Sequence, residues 1–180
     1  MILDIILFRA INELAGRLRV LDLAGIFFAK YLIMVMGVGL IVFLCTYWKK
    51  FGAHFFLQTL VKVVLIVTIA YGVNIMIGAF KFRPRPFVAL PGVHQLIEKS
   101  PAEKSFPSGH ATVAFALAFA IHFLDKKLGR WFILAAALVG LGRIFVGVHY
   151  PLDIIGGLTL GVITAYILGK ALPTPSFNKA

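Results

Sequence analysis

Polar residues in this chain fall in short joints between long apolar runs, and the length of each run identifies the element it builds. A bilayer core of about 30 Å takes roughly 20 apolar residues at about 1.5 Å of rise each. Five stretches approach that length. They are Leu21 to Trp48, broken by Asp22 and Lys30; Phe55 to Phe80, carrying Lys62 and Asn74; Ala111 to Leu124; Trp131 to Val148, with Arg143 inside it; and Leu152 to Leu172, with Asp153 at its mouth and Pro173 ending it. The third is short, and spans only if its helix begins at Ser108 and packs inside a bundle. Ser108 suits that start as an N-cap, and Pro107 is at home beside a helix beginning. Near the N-terminus, Asp4, Arg9, Asn12, Glu13 and Arg17 interrupt the apolar residues, which argues against a cleaved signal. Ile2, Ile5, Ile6, Leu14 and Leu18 instead predict a helix lying in the membrane interface. The pattern therefore predicts an all-α, polytopic membrane bundle of about five transmembrane helices plus an N-terminal interfacial helix. With no internal repeat, low-complexity tract or linker, residues 1–180 are expected to form a single domain.

Composition points the same way. The 180 residues are 61% hydrophobic and 14% charged, with mean hydropathy +0.96, more apolar surface than a soluble domain can hide. A net charge of +11 would raise nucleic acid as a partner of a soluble protein. Here the basic residues lie mostly in short loops and at segment ends, so the expected partner is the membrane surface and nucleic acid is not expected. The lone Cys45 makes no internal disulfide and no cysteine metal site. Alternation of the spans puts Lys49, Lys50, Lys126, Lys127, Arg130, Lys170 and Lys179 on one face, with Asp125 the only acid among them. By the positive-inside rule that face is cytoplasmic, and the long loop from Lys81 to Phe106 and the turn from His149 to Asp153 lie outside.

Three stretches reach that outer face with chemistry suited to a phosphate. In Lys81-Phe-Arg-Pro-Arg-Pro86, Arg83 and Arg85 offer planar forks and Lys81 a point charge. In Ser105-Phe-Pro-Ser-Gly-His110, a helix starting at Ser108 leaves the N–H groups of Gly109, His110 and Ala111 free for an anion, with His110 placed to hand a proton to a leaving oxygen. In the third stretch Arg143 lies inside an apolar helix, roughly 9 Å of rise before His149, where an arginine is costly and serves function. Pro151 separates His149 from Asp153, whose carboxylate can take the Nδ1–H and leave Nε2 as an in-line nucleophile. Each stretch alone has a plainer reading: headgroup contact for the basic loop, snorkelling for Arg143, and a polar membrane-edge turn for His149 to Asp153. Their conjunction favours a site. His54, His94, His122, Lys30, Lys62 and Asn74 have no such company and receive no role. No metal is expected, since arginines around the one histidine–carboxylate pair would repel a cation.

Together these stretches resemble the signature of the type 2 phosphatidic acid phosphatase superfamily, whose pattern is Lys, six residues, Arg-Pro; then Pro-Ser-Gly-His; then Ser-Arg, five residues, His, three residues, Asp. Arg85-Pro86, Pro107 to His110, and Arg143, His149 and Asp153 match, so the resemblance covers residues 81–153, roughly half the chain. Two positions depart from it. The pattern's lysine falls at Gly78, leaving Lys81 or Arg83 as a substitute, and its serine falls at Gly142. The Arg-Pro-Arg-Pro-Phe wording and the Gly-Val-His-Tyr-Pro-Leu-Asp turn look most like the bacterial undecaprenyl-diphosphate phosphatase branch. The resemblance implies a bacterial plasma-membrane enzyme that needs no cofactor and acts on a lipid phosphate or diphosphate. His149 would form a phosphohistidine, Asp153 would orient it, and His110 would protonate the leaving group. Arg85, Arg143, Lys81 or Arg83, Ser108 and Gly109 would hold the phosphate. Phosphatidylglycerophosphate or phosphatidate as substrate, and a nonenzymatic anion-binding or transport protein, are the alternatives.

Overall fold

The computed structural model describes residues 2–172; Pro173 and Lys179 lie outside the described residues. The chain runs through α1 (Ile2–Asn12), α2 (Arg19–Ile26), a π-helical turn (Phe27–Tyr31), α3 (Leu32–Phe80), the short α4 (Pro86–Ala89), α5 (Gly109–Leu124), α6 (Lys126–Phe145) and α7 (Pro151–Ala171). Among the described residues there is no strand. Among the described residues, three helical stretches are long and apolar enough to cross a membrane: Arg19–Phe80, Lys126–Phe145 and Pro151–Ala171. The first has 62 residues and would be roughly 90 Å long if straight, about three bilayer cores. It is not straight. Gly52 interrupts it with φ 83° and ψ 175°, a conformation that favours glycine, and so splits α3 into legs 32–51 and 53–80. The rings of Tyr47 and Phe55 stack at 5.8 Å across the break, although eight residues of continuous helix rise about 12 Å. The first two expected spans are therefore the two arms of one bent element.

The expectation for α5 depended on its packing, and α5 is the central helix. It lies against α3, α6 and α7, with nine of its 16 residues buried, five of them alanines. Large aliphatic side chains such as Met34, Val38, Ile163 and Ile167 point outward instead. Lipid tails give apolar side chains no reason to turn inward, so close approach by small residues holds such bundles together. Gly157 and Gly161 of α7 meet α5 so closely that a Cβ on Gly157 would lie 2.8 Å from the Ser108 carbonyl oxygen and from the Ala111 Cβ. A Cβ on Gly161 would lie 2.7 Å from the Thr112 carbonyl oxygen and the Ala116 nitrogen. The chain is a multi-pass membrane protein.

The N-terminal helix does more than lie in an interface. Asp4, Phe8 and Asn12 form its buried stripe, against α6 and α7, while Ile2 and Ile6 remain exposed. The amide of Asn12 donates to the His94 and Phe145 carbonyls and accepts from the His94 N–H, which anchors the long loop. Leu14 and Leu18 lie past the helix end. At the opposite end of the bundle, Tyr47 Oη donates to Asp125 Oδ2 at 3.1 Å. Lys62 Nζ donates to the carbonyls of Gly169 at 2.8 Å and Leu172 at 3.1 Å. These bonds gather the Gly52 break, the α5–α6 joint and the end of α7, where Lys49, Lys50, Lys126, Lys127 and Lys170 cluster.

Candidate active site

The three chemistry-bearing stretches meet at the other end of the bundle, where a cavity of about 430 Å³ opens. Its polar wall carries Arg85, Lys104, His110, Arg143 and His149; its apolar wall is made by Ile33 and Ile75 of α3 and Val113 of α5. Two features bring the α5 and α7 starts together. One is the Gly157 contact, and the other is a bond from the Ser108 N–H to the Asp153 carbonyl at 3.0 Å. Ser108 caps α5 as expected, its Oγ accepting from the Ala111 N–H at 3.5 Å, but the side chain is fully buried and does not line the cavity. Gly109 and His110 of the same turn do line it.

His149 is 2% exposed. Its Nε2 lies 3.4 Å from Arg85 Nη1, and its Nδ1 lies 3.6 Å from Asp153 Oδ2, just beyond hydrogen-bonding length. Burial pushes the imidazole down to about 4, Arg143 and Arg85 push the same way, and Asp153 opposes them. The ring is therefore neutral near pH 7, the form with a nucleophilic nitrogen. Asp153 is itself tightly held. Its Oδ2 accepts from Ser105 Oγ at 2.6 Å and from the Tyr150 N–H at 2.8 Å, and its Oδ1 accepts from Arg83 Nη1 at 2.7 Å. Pro151 at the first position of α7 and the Asp153 cap bond explain why the helix begins where it does.

This arrangement reassigns Arg83. Both ends of its fork are occupied, by Asp153 and by Asp4 Oδ2 at 2.6 Å, and its guanidinium lies over the Tyr150 ring at 3.8 Å. It does not line the cavity, because the carboxylates behind the site hold it there. Asp4 Oδ1 in turn accepts from the Leu152 N–H at 2.9 Å, so α1 braces the start of α7. Lys81 is placed elsewhere too: it is exposed, with Nζ 5.7 Å from the Phe106 ring centre.

Arg85 and Arg143 do enter the cavity, 5% and 2% exposed. Arg85 donates to the Val148 carbonyl at 3.0 Å and to Glu103 Oε2 at 2.9 Å, and Arg143 donates to the Ala29 carbonyl at 3.3 Å. Ala29 belongs to the π-helical turn, whose altered bonding aims a backbone carbonyl at the arginine. The same turn accounts for Gly142. A Cβ there would lie 2.7 Å from the Ala29 nitrogen and 2.9 Å from the Phe28 Cβ, so the pattern's serine has no room. The Nε atoms of both arginines, and Nδ1 of His149, are buried and have no hydrogen-bond partner among the described residues.

Several residues in or around the site carried no motif. Lys104 lines the cavity, and its Nζ donates to both the backbone and side-chain oxygens of Asn74 and to the Pro107 carbonyl. Asn74 also donates to Thr112 Oγ1 at 2.8 Å, joining α3 to the first turn of α5. An amide inside an apolar span and an acid inside an apolar helix are the signals by which Asn74 and Asp4 stand out. For Lys104 the only signal is the glycine at position 78.

The sequence profile of the PAP2 superfamily matches residues 59–175. The chain is 34% identical over 175 residues to the bacitracin transport permease protein BcrC of Bacillus licheniformis, covering 97% of this chain and 83% of that protein. It is 32% identical over 161 residues to the undecaprenyl-diphosphatase BcrC of Bacillus subtilis, covering 89% and 80%. The crystal structure of Aquifex aeolicus LpxE superposes with a TM-score of 0.62 at 30% identity, over 93% of this chain and 95% of that one.

Proposed function

Since this chain belongs to the PAP2 superfamily, we propose that it is a membrane lipid phosphatase that hydrolyses undecaprenyl diphosphate to undecaprenyl phosphate and inorganic phosphate. The observation that carries the reading is the pairing of two buried guanidiniums, each with a partnerless N–H, with a neutral buried imidazole in one cavity. Buried donors of this kind call for an anion, and a cavity that is cationic at one wall and apolar at the other suits a phosphate on a lipid tail. The B. subtilis relative's name supports the choice of tail.

In the proposed reaction His149 Nε2 attacks the terminal phosphorus in line. A P–N bond forms while the P–O bond to the lipid phosphate breaks, and His110 gives its proton to the departing oxygen. Substrate negative charge next to His110 favours the imidazolium it needs. Arg85 and Arg143 bind the equatorial oxygens, whose charge is what phosphoryl-transfer catalysis chiefly has to stabilise. Asp153 steadies the imidazolium of the phosphohistidine. Water then attacks phosphorus, gives a proton to His110, and frees phosphate and neutral His149. Because the basic cluster lies at the other end of the bundle, the site faces out of the cytoplasm across a bacterial plasma membrane.

The test compares undecaprenyl diphosphate, phosphatidylglycerophosphate and phosphatidate, each with purified protein in detergent and EDTA present. Phosphate release fastest from the diphosphate is expected; no release from any of them refutes the proposal. The name of the B. licheniformis relative favours one second reading, a transport protein. His149→Gln separates the two, since it abolishes turnover in an enzyme and leaves anion transport largely intact.

A further inference from the structure

Position 78 and Lys104 share one volume. A Cβ built on Gly78 would lie 1.9 Å from Lys104 Cδ, 2.3 Å from Cε and 2.8 Å from Nζ, so the lysine stem fills the space a side chain at 78 would take. Position 78 is one α3 turn below Asn74, and Lys104 arrives there from the loop that precedes α5. The three partners of its Nζ are two carbonyls and an amide oxygen, none of them charged. Burial, then the nearby Arg85, lower the ammonium to about 8 against the opposing pull of Asp153. The amine thus lies in the wall of the cavity with no carboxylate in direct ion pair with it among the described residues.

We propose that Lys104 is a phosphate-binding residue of this site, delivered from the loop in the place that a lysine at position 78 would occupy on α3. It rests on the phosphatase reading. Bound phosphate takes over one of the carbonyl bonds, because its negative charge adds a coulombic attraction to the ammonium that a neutral carbonyl lacks. Gly78 is then a requirement of the arrangement: only an absent side chain lets the loop lysine reach the cavity. A clamp role, in which Lys104 merely ties the loop to Asn74 and Pro107, makes different predictions.

The experiment measures the dissociation constant of inorganic phosphate by equilibrium dialysis of full-length protein in micelles, alongside thermal stability and lipid hydrolysis. Lys104→Met keeps the stem over Gly78 and removes the charge. It should weaken phosphate binding about tenfold or more, the scale of a lost hydrogen bond to a charged group. Lys104→Ala should do the same, and adding Gly78→Lys to it should restore most of the affinity by supplying the ammonium from the other side of the shared volume. If Lys104→Met is unfolded, the Lys104→Ala/Gly78→Lys pair and the charge-retaining Lys104→Arg decide the matter. Wild-type affinity in a folded Lys104→Met overturns the inference and leaves the phosphatase reading standing. Absence of hydrolysis by the wild type, with phosphate still bound through Lys104, overturns the phosphatase reading instead.

Discussion

Gly157→Ala tests how the site is held together, since it adds one methyl group where α7 crosses the first turn of α5. The new Cβ would lie 2.8 Å from the Ser108 carbonyl oxygen, 2.8 Å from the Ala111 Cβ and 3.0 Å from the Thr112 nitrogen. Comfortable contacts run about 3.5–4.0 Å, so the helices must part by roughly 0.5–1 Å. Two of the three obstructing atoms are backbone and cannot rotate away. Overpacking of this kind costs about 1–3 kcal/mol. The larger effect is on rate. The same crossing carries the Ser108-to-Asp153 bond and sets His110, on α5, against His149 and Asp153, beside the start of α7. A displacement near 1 Å at reacting groups costs on the order of 100-fold. Gly161→Ala is the internal control: its clash is as severe, at 2.7 Å to two backbone atoms, but one turn further from the cavity. Turnover of undecaprenyl diphosphate and melting temperature in the same detergent should show similar losses of stability for the two variants and a much larger loss of kcat for Gly157→Ala. Unchanged kcat in Gly157→Ala, or equal rate losses in the two, would refute the coupling.

The hydrogen-bonded chain from Asp4 through Arg83 to Asp153 gives a second expectation. Asp4→Asn or Arg83→Ala should lower kcat by about tenfold, just under the 1.5–3 kcal/mol of a hydrogen bond to a charged group, with KM little changed; a large rise in KM alone would instead make Arg83 a substrate ligand. For pH, the His149 pKa near 4 means that the nucleophile becomes protonated only as pH falls through about 4. The step in kcat/KM that reports protonation of His149 should therefore lie near pH 4, and a step at the ordinary histidine value near 6.5 would contradict it. Finally, Glu103 occupies Arg85 Nη2 at 2.9 Å with a side chain 43% exposed, a pair of small net worth. Glu103→Gln should lower KM a few-fold by freeing the guanidinium for substrate, as read from steady-state hydrolysis; an increase in KM would show that the carboxylate positions Arg85.

Local geometry was legible in the chain because helices announce themselves by length, caps and breakers. Ser108 and Pro151 mark the starts of α5 and α7, and Arg143 and Asp153 betray by their cost in apolar surroundings that something is done there. What the order of residues leaves undetermined is which of several like groups turns inward. Lys81, Arg83 and Lys104 are three cations on one loop, and only Lys104 lines the cavity: carboxylates on α1 and α7 capture Arg83, Lys81 stays outside, and the gap at Gly78 admits the lysine of position 104. The use of Asp4, and the crowding of Gly142 by the π-helical turn, were equally out of reach of spacing. Each depends on how closely two helices distant in sequence approach.

The sequence by itself therefore determined where the apolar helical stretches lie, and the set of imidazole, guanidinium and carboxylate groups near their ends. The tertiary structure alone decided which of those groups share a cavity and which brace it from behind. The reason is range. Caps and hydropathy act within a turn or a span, whereas a charge finds its partner only after the backbones on either side have packed to contact.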